Sequence, residues 1–191
     1  MSQLFDIPPL MPEGFRYIPG FISGEEEAEL LAEVRRVALH SFEFRGYTAN
    51  RKVASFGYDY NFDKRTIQKG EQIPDVFSSL IHKVAERLGI DEKLFKELLV
   101  TEYPPGSVIN WHRDAPPFEL IAGLSLAADC TFRLRPYDKS KRGRGSIVSL
   151  PVARRSLYIL ADSSRSDWEH SIAPVKEVRY SITLRTLRPE V

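Results

Sequence analysis

Apolar residues recur at helical spacing in two stretches of the amino-terminal half of the chain. The first stretch predicts a helix over residues 24–40, because Ser23-Gly24-Glu25-Glu26 has the pattern of a capping box and apolar residues follow every three or four positions. The second predicts a helix that begins after Pro74 and ends at Gly89, since glycine suits the left-handed conformation that terminates helices. A third, shorter helix is predicted over residues 92–98, with Asp91 as its cap.

Beyond residue 98 the apolar runs become short. Runs rich in Val, Ile, Leu and Thr are separated by clusters of Pro, Gly, Asp and Lys, which is typical of an antiparallel sandwich or barrel. Eight such strands suit a jelly roll, so we expect an α+β, mainly β fold with the amino-terminal helices packed on one outer face. The predicted strands are 98–103, 107–113, 120–127, 130–136, 146–150, 156–161, 168–173 and 178–187. We expect one domain over residues 1–191, with a helical and lid region at 1–97 and the jelly-roll core at 98–191.

Composition limits the compartment and the partners. The chain has 191 residues, of which 42% are apolar and 28% charged, as in ordinary globular proteins. Its net charge of +1 gives no global electrostatic case for nucleic acid, so any basic binding surface must be local. Cys130 is the only cysteine, which excludes an internal disulfide and suits a reducing cytoplasm. No apolar stretch approaches the roughly 20 residues of a membrane span, so we expect a cytoplasmic monomer without a membrane partner.

One short motif, His112-Arg113-Asp114, is followed 58 residues later by His170. Side chains two positions apart in a strand point to the same side, so His112 and Asp114 can face one ion while Arg113 points away. Two imidazoles and one carboxylate leave three coordination positions open, as in non-haem Fe(II) enzymes that bind an oxidisable co-substrate and O2. Taken alone, the motif is weak evidence, because most such triplets are surface polar residues or hydrogen-bonded core histidines.

The last predicted strand alternates strictly between polar and apolar residues. One face presents two guanidiniums and two hydroxyls, those of Arg179, Ser181, Thr183 and Arg185. The other face is formed by Tyr180, Ile182 and Leu184. Guanidinium groups grip carboxylates through paired, charge-assisted hydrogen bonds, so this face can bind a dicarboxylic co-substrate. The alternative is an edge strand with a solvated polar face.

These motifs occur in an order that resembles the AlkB family of 2-oxoglutarate/Fe(II) dioxygenases. The resemblance covers roughly residues 45–188 and rests on Tyr103-Pro-Pro-Gly, Ile109-Asn-Trp-His112-Arg-Asp114, Leu124-Ser-Leu, Trp168-Glu-His170-Ser and Arg179-Tyr-Ser-Ile-Thr183-Leu-Arg185. The fold that it implies is the double-stranded β-helix, a form of jelly roll. Two family asparagines are replaced, one by Ser181 and the other by Thr101.

The resemblance also implies a role for each motif residue. It assigns iron to His112, Asp114 and His170. Arg179 would pair with the distal carboxylate of 2-oxoglutarate, helped by Tyr103. Arg185 would lie near the metal-chelating end and steady Asp114. A bidentate 2-oxoglutarate fills two of the three open iron positions and leaves one for O2.

The substrate side must come from loops. Residues 42–67 hold seven aromatic and five basic residues, and the family places its nucleotide-receiving lid in this region. Aromatic faces stack on an extruded base while basic side chains hold phosphates, so we expect the substrate to be bound by Arg51, Phe56, Tyr58 and Tyr60, with the three rings on one strand face. The alternative is a β-hairpin whose aromatic rings pack on the jelly roll.

A second basic segment covers residues 139–145 and contains four positive charges in a glycine-containing turn. It can contact a phosphate backbone, with Arg133 and Arg135 adding charge to the same hairpin, or it can be a solvated hairpin tip.

The chain differs from the family pattern at one position that concerns the substrate. Repair members of the family commonly carry an acidic residue two positions after the metal aspartate, where this chain has Pro116, and Glu119 is the nearest replacement.

We therefore predict an Fe(II)/2-oxoglutarate-dependent dioxygenase that oxidatively dealkylates N-methylated bases in single-stranded DNA or RNA. An enzyme of the same type acting on tRNA or on a protein lysine is the first alternative. A catalytically silent nucleic-acid-binding relative is the second. A complete metal triad and two retained arginines argue against the silent relative, because a module released from catalysis need not keep them.

Overall fold

The computed structural model describes residues 11–44, 46–61 and 64–189. Its helices are α1 (Gly24–Val34), α2 (Ser78–Leu88) and α3 (Asp162–Ser166). Its strands are β1 (Arg16–Ile18), β2 (His40–Phe44), β3 (Tyr47–Asn61), β4 (Thr66–Lys69), β5 (Phe95–Tyr103), β6 (Ile109–His112), β7 (Phe118–Leu126), β8 (Cys130–Pro136), β9 (Val148–Val152), β10 (Leu157–Leu160), β11 (Trp168–Ile172) and β12 (Arg179–Leu187). No helix among the described residues is long and apolar enough to cross a membrane.

Two antiparallel sheets face each other and form the predicted jelly roll. The larger sheet has eight strands in the order β1-β10-β7-β12-β5-β3-β2, with β4 paired to β3. The smaller sheet has the order β6-β11-β8-β9. The eight strands predicted beyond residue 98 are all present, with ends shifted by three residues or fewer. Cys130 is buried at the start of β8, as expected for a strand thiol.

Two apolar clusters lie on opposite faces of the larger sheet. One cluster fills the space between the sheet and the helices and includes Leu31, Phe77, Val84 and Ile182. The other fills the space between the two sheets and includes Phe118, Phe132 and Leu160. Because successive strand residues face opposite sides, every strand in the middle of the larger sheet contributes to both clusters. The polar site described below lies among the residues that face the second cluster.

The predicted helix boundaries are confirmed where local signals set them. The Ser23 side chain accepts a hydrogen bond from the Glu26 N–H, and the Glu26 carboxylate accepts one from the Ser23 N–H, so the capping box is present at the start of α1. Gly89 ends α2 with φ 69°, and the Asp91 side chain accepts from the Lys93 N–H. Local hydrogen-bonding groups define these ends, and they can be found in sequence.

Three predictions for the amino-terminal half are wrong. Helix α1 ends at Val34 rather than at residue 40, because residues from His40 onward pair with β3. The helix predicted over residues 92–98 is a 3-10 turn at Glu92–Leu94, and the chain then enters β5 at Phe95. The region 1–97 is also not only helical with loops, since four strands lie within it. In each case, strand pairing overrides the local helical preference.

A buried carboxylate fixes α1 to the jelly roll. Glu27 is 1% exposed. It accepts hydrogen bonds from Arg154 Nη2 at 2.6 Å and from the Ala127 N–H at 2.9 Å. Burial raises the pKa of Glu27, but the Arg154 guanidinium and the Ala127 N–H outweigh burial, so the pKa lies below its ordinary value. The ionised carboxylate is therefore part of the folded structure.

We expect Glu27→Ala to lower the free energy of unfolding by about 2–3 kcal/mol at pH 7, because it leaves the Ala127 N–H and the Arg154 guanidinium without their hydrogen-bond acceptor. The loss should shrink as the pH falls through the folded pKa of Glu27, since a carboxylate with a lowered pKa stabilises the fold only while it is ionised. Urea denaturation of both proteins at pH 7 and at lower pH measures this. The matched control is Glu33→Ala, which removes a solvent-exposed pair with Arg36 and should cost under about 0.5 kcal/mol. Equal losses for the two variants would contradict the prediction.

Candidate metal centre and carboxylate pocket

The structure brings the three predicted metal-binding residues together. His112 ends β6 and lies opposite His170 of β11, and Asp114 follows two residues after His112. One ligand atom from each of the three side chains lies within 4.8 Å of the others. The two imidazole rings are 4.3 Å apart between centroids, and the His170 ring stacks on Phe132 at 5.4 Å. Pairing of two adjacent strands therefore places two imidazoles and a carboxylate around one point.

Each of the two histidines offers one ring nitrogen to the metal-binding group. Nδ1 of His112 lies 2.9 Å from the carbonyl oxygen of Asn110, and it must be the donor because a carbonyl only accepts. Because Nδ1 is engaged in that bond, Nε2 is the nitrogen left to bind a metal. Burial, together with the neighbouring His112, lowers the pKa of His170 to about 3 despite the attraction of Asp114, so its ring is neutral at pH 7.

Asp114 supplies the negative charge of the site. Its side chain is 6% exposed. Oδ1 accepts a hydrogen bond from Arg185 Nη2 at 2.7 Å, and Oδ2 lies 3.4 Å from His170 Nε2. Burial opposes ionisation, but Arg185 and the two histidines outweigh it and hold the pKa of Asp114 far below its ordinary value. Among the described residues, Oδ2 has no hydrogen-bond partner. A buried, ionised oxygen without a donor fits a divalent cation at this position.

The polar face of β12 points into the same interior. Arg179, Ser181 and Thr183 are all buried, and Tyr180, Ile182 and Leu184 join the apolar cluster under the helices. The predicted alternation is confirmed, and the alternative of a solvated edge strand is wrong. β12 is a central strand, paired with β5 on one side and β7 on the other.

Arg179 is a buried cation without an acidic partner in the described part of the chain. Its side chain is fully buried, Nε donates to Ser125 Oγ at 2.9 Å, and the guanidinium carbon lies 4.8 Å from the centre of the Tyr103 ring. Among the described residues, neither Nη1 nor Nη2 donates a hydrogen bond. The Tyr103 hydroxyl lies 3.4 Å from Ser181 Oγ. The two free guanidinium nitrogens and nearby hydroxyls fit the carboxylate of a dicarboxylic acid.

Arg185 differs from Arg179 because it is already paired twice. Besides Asp114, it donates through Nη1 to Glu97 Oε2 at 2.6 Å, and Ser55 donates to the other Glu97 oxygen at 3.0 Å. Burial favours the neutral guanidine, but the two carboxylates outweigh it and raise the pKa of Arg185. The sequence reasoning missed Glu97 because it placed this residue in a helix. Alternation along β5 from Tyr103 would have indicated that Glu97 faces inward.

The predicted substrate residues separate into two groups. Phe56 packs against the apolar cluster under the helices, so its assignment as a substrate contact is wrong. Tyr60 packs against the cluster between the sheets, and Tyr58 lies on β3 between them. The change of face falls at Gly57, which has φ 85° and ends the pairing of β3 with β5. The guanidinium of Arg51 lies 4.0 Å from the Phe42 ring centre.

The basic hairpin is only partly free to bind a partner. Arg142 turns back and donates to the carbonyl oxygens of Pro136 and Tyr137 at 2.9 and 2.7 Å and to Glu169 at 3.0 Å. The other three basic side chains of the segment are exposed, namely Lys139, Lys141 and Arg144. Arg133 and Arg135 are half-buried and lie over the Trp111 ring.

Comparison with known proteins agrees with this site. A family model described as the 2OG-Fe(II) oxygenase superfamily matches residues 14–186. The tRNA (carboxymethyluridine(34)-5-O)-methyltransferase ALKBH8 of Mus musculus is 30% identical over 173 residues, which are 87% of this chain and 25% of that protein. The RNA demethylase ALKBH5 of Mus musculus is 30% identical over 131 residues, covering 62% of this chain and 32% of that protein. The solved structure of OsALKBH1 superposes with a TM-score of 0.71 at 14% identity, over 93% of this chain and 98% of that chain.

The chain belongs to the 2OG-Fe(II) oxygenase superfamily and, within it, to the AlkB family. Its cofactor is Fe(II), and its co-substrates are 2-oxoglutarate and O2. The chain spans about a quarter of the length of the ALKBH8 proteins that it matches. Most of the length of those proteins, to which the methyltransferase activity in their name belongs, lies outside the aligned region.

Proposed function

We propose that this chain oxidatively dealkylates N-methylated bases of single-stranded DNA or RNA, using Fe(II), 2-oxoglutarate and O2. The observation that carries the proposal is the presence of two buried groups that lack a hydrogen-bond partner among the described residues. They are Oδ2 of Asp114, which lies beside two imidazoles, and the Nη1 and Nη2 atoms of Arg179. Either group alone is costly to bury. A metal ion and a dicarboxylate together would satisfy both.

Each residue has a part that follows from its contacts. His112, Asp114 and His170 would hold the iron, and Arg179 would hold the distal carboxylate of 2-oxoglutarate with the hydroxyls of Tyr103 and Ser181 nearby. Thr183 lines the same strand face. Arg185 is occupied by Glu97 and Asp114, so it orients the metal carboxylate rather than gripping the co-substrate.

The bound iron, 2-oxoglutarate and O2 supply an oxidant that converts an N-methyl group to N-hydroxymethyl, while 2-oxoglutarate becomes succinate and CO2. One oxygen atom enters succinate and the other enters the methyl group. The N-hydroxymethyl product then releases formaldehyde and leaves the free base. The chain's contribution is to exclude water from the reacting centre, since Phe132 and neighbouring apolar residues wall the site.

Nucleic acid is the partner that the charged surface supports best. Lys139, Lys141 and Arg144 project from one hairpin, whereas the whole chain is nearly neutral. Arg51, Tyr58 and Tyr60 of β3 would contact the extruded nucleotide. The relatedness to the RNA demethylase ALKBH5 agrees with this substrate class.

A methylated tRNA or protein lysine is the second candidate, and one observation favours it. The position two residues after Asp114 is Pro116, which offers no carboxylate to a methylated, positively charged base. Glu119 does not replace it, because its carboxylate pairs with Arg188 at 3.0 Å on the surface.

The experiment that separates these substrates is a formaldehyde and succinate assay with methylated single-stranded DNA, single-stranded RNA, tRNA and peptide. We expect formaldehyde and succinate to be released with the single-stranded oligonucleotides. Release of formaldehyde only with tRNA or only with peptide would favour the second candidate. Oligonucleotide affinity should weaken with salt, and replacing Lys139, Lys141 and Arg144 by Gln should reduce the slope of log affinity against log salt by up to about 2. An unchanged slope would remove the hairpin from the proposed interface.

Three broader expectations from the sequence remain proposals. We infer that the chain is a single domain, a monomer and a cytoplasmic protein. The shared apolar core between the sheets and the lone buried thiol support these proposals. Light scattering of the purified protein and cell fractionation would test them.

A further inference from the structure

A third buried arginine contacts the backbone next to the metal carboxylate. Arg165 lies in α3 and is 5% exposed. Its Nη2 donates to the carbonyl oxygens of Ala115 and Asp114, at 2.7 and 3.2 Å. Buried arginines ordinarily pair with a carboxylate, because burying an unpaired charge is costly. Here the guanidinium instead binds two consecutive main-chain oxygens at the point where the chain carries the metal-binding carboxylate.

The contact is reciprocated across the same boundary. Nη1 of Arg113, the residue between His112 and Asp114, donates to the carbonyl oxygen of Ser166 at 2.7 Å. Ser166 ends α3, and β11 with His170 begins two residues later. Two arginine-to-carbonyl contacts therefore join the segment that carries Asp114 to the segment that leads into His170. These two metal-binding residues come from distant parts of the sequence, and α3 spans the gap between them.

Arg165 also completes the constraints on Asp114. Arg185 holds one carboxylate oxygen from the side chain, whereas Arg165 holds the carbonyl of the same residue from the main chain. With both ends fixed, the remaining oxygen Oδ2 is left facing His170. Among the described residues, Arg165 Nε has no hydrogen-bond partner, so the side chain retains an unsatisfied buried donor to keep this geometry.

We propose that Arg165 is a positioning residue of the metal centre, which sets the distance between Asp114 and His170 by clamping the main chain at Asp114 and Ala115 to α3. This rests on the proposed function, since it takes His112, Asp114 and His170 as the iron ligands. Arg165 touches neither metal nor substrate and acts through Asp114. Outer groups of this kind typically change metal affinity by about 10- to 100-fold when removed.

The test uses Co(II) as the metal probe, because its visible absorption reports ligand geometry independently of turnover. The variants are Arg165→Met and Arg165→Lys in the full chain. The matched control is Arg142→Met, because Arg142 also donates to two consecutive carbonyl oxygens. It pairs with the Glu169 side chain on β11, but it donates neither to the main chain at Asp114 nor to a metal-binding residue. Co(II) affinity and the spectrum of the saturated protein are measured for each, without nucleic acid.

We expect Arg165→Met to weaken Co(II) binding by about 10- to 100-fold and to shift the visible bands at saturation, with Arg165→Lys between this variant and wild type. Arg142→Met should stay within about twofold of wild type with an unchanged spectrum. Should Arg165→Met fail to fold, Arg165→Lys carries the same test, since lysine keeps the charge but cannot hold both carbonyls.

Two negative results have different meanings. If wild type binds Co(II) but the Arg165 variants match the Arg142 control in affinity and spectrum, the positioning role is wrong and the proposed function stands. If wild type itself does not bind Co(II), the metal assignment fails and the positioning role fails with it.

Discussion

Replacing Asp114 by alanine should abolish turnover and weaken Fe(II) binding by about 100-fold or more, on the order of 3 kcal/mol. Asp114 is the only anionic member of the metal-binding group, and its Oδ2 is the oxygen left without a donor among the described residues. An imidazole carries no negative charge, so without Asp114 the metal-binding group has no anion to offset the charge of the cation. Arg185 keeps its bond to Glu97, which limits the damage to the fold.

Metal titration of the purified variant, followed by a succinate assay with 2-oxoglutarate, measures both effects. Asp75→Ala is the matched control, because it removes an exposed carboxylate near the start of α2, far along the chain from the site. The control should bind and turn over like wild type. Full turnover by Asp114→Ala would show that iron is not held by this residue, whatever the fate of the histidines.

The residues of the site were predictable where a local period fixes them. Strict alternation over residues 179–185 assigned four side chains to one face, and β12 keeps that assignment. Period 2 in a strand predicted that His112 and Asp114 face one ion, and their side chains do converge, although β6 ends at His112 and Asp114 lies two residues beyond it. What the sequence could not indicate was the approach of Arg165, since its partners are backbone carbonyls about fifty residues earlier in the chain.

The predictions were wrong where strand pairing or a bend in a strand, rather than the local residue pattern, decides the structure. Residues 35–40 continue a helical pattern, yet the pairing of β2 with β3 ends α1 at Val34. Along β3, alternation placed Phe56 and Tyr60 on one face, but the positive φ of Gly57 changes the direction of the strand between them. A Cβ at Gly57 would lie 2.1 Å from the Lys96 carbonyl oxygen, so glycine is required there. An isolated glycine inside a strand pattern was the available signal.

Replacing Arg179 by methionine should raise the KM for 2-oxoglutarate by about 100-fold or more, because the distal carboxylate loses its only guanidinium partner. Iron binding should be retained, since among the described residues the Arg179 guanidinium donates only to Ser125 and not to a metal-binding residue. Kinetics with varied 2-oxoglutarate and a parallel metal titration separate the two effects. A KM that stays at the wild-type value would show that the β12 face does not bind the co-substrate.

Arg179→Met should also have an effect on stability that differs from the effect of replacing an arginine that only supports the fold. In the cofactor-free protein, Arg179 is a fully buried cation without an acidic partner among the described residues. Replacing such a charge by an apolar side chain of similar length is expected to leave the free energy of unfolding unchanged or to raise it by about 1–4 kcal/mol. Arg179→Met should therefore melt at the wild-type temperature or higher without ligand, and should lose the rise in melting temperature that 2-oxoglutarate gives the wild type.

Arg185→Met is the matched contrast, because Arg185 is also largely buried but pairs with both Glu97 and Asp114. Removing it leaves the buried carboxyl groups of Glu97 and Asp114 without their guanidinium partner, so that variant should lose about 3–5 kcal/mol of stability. A protein that uses Arg179 to bind an anion must keep it unpaired until the anion arrives, and it bears the cost in the ligand-free state. If Arg179→Met is instead destabilised as much as Arg185→Met, Arg179 supports the fold, and its two free guanidinium nitrogens are not reserved for a ligand.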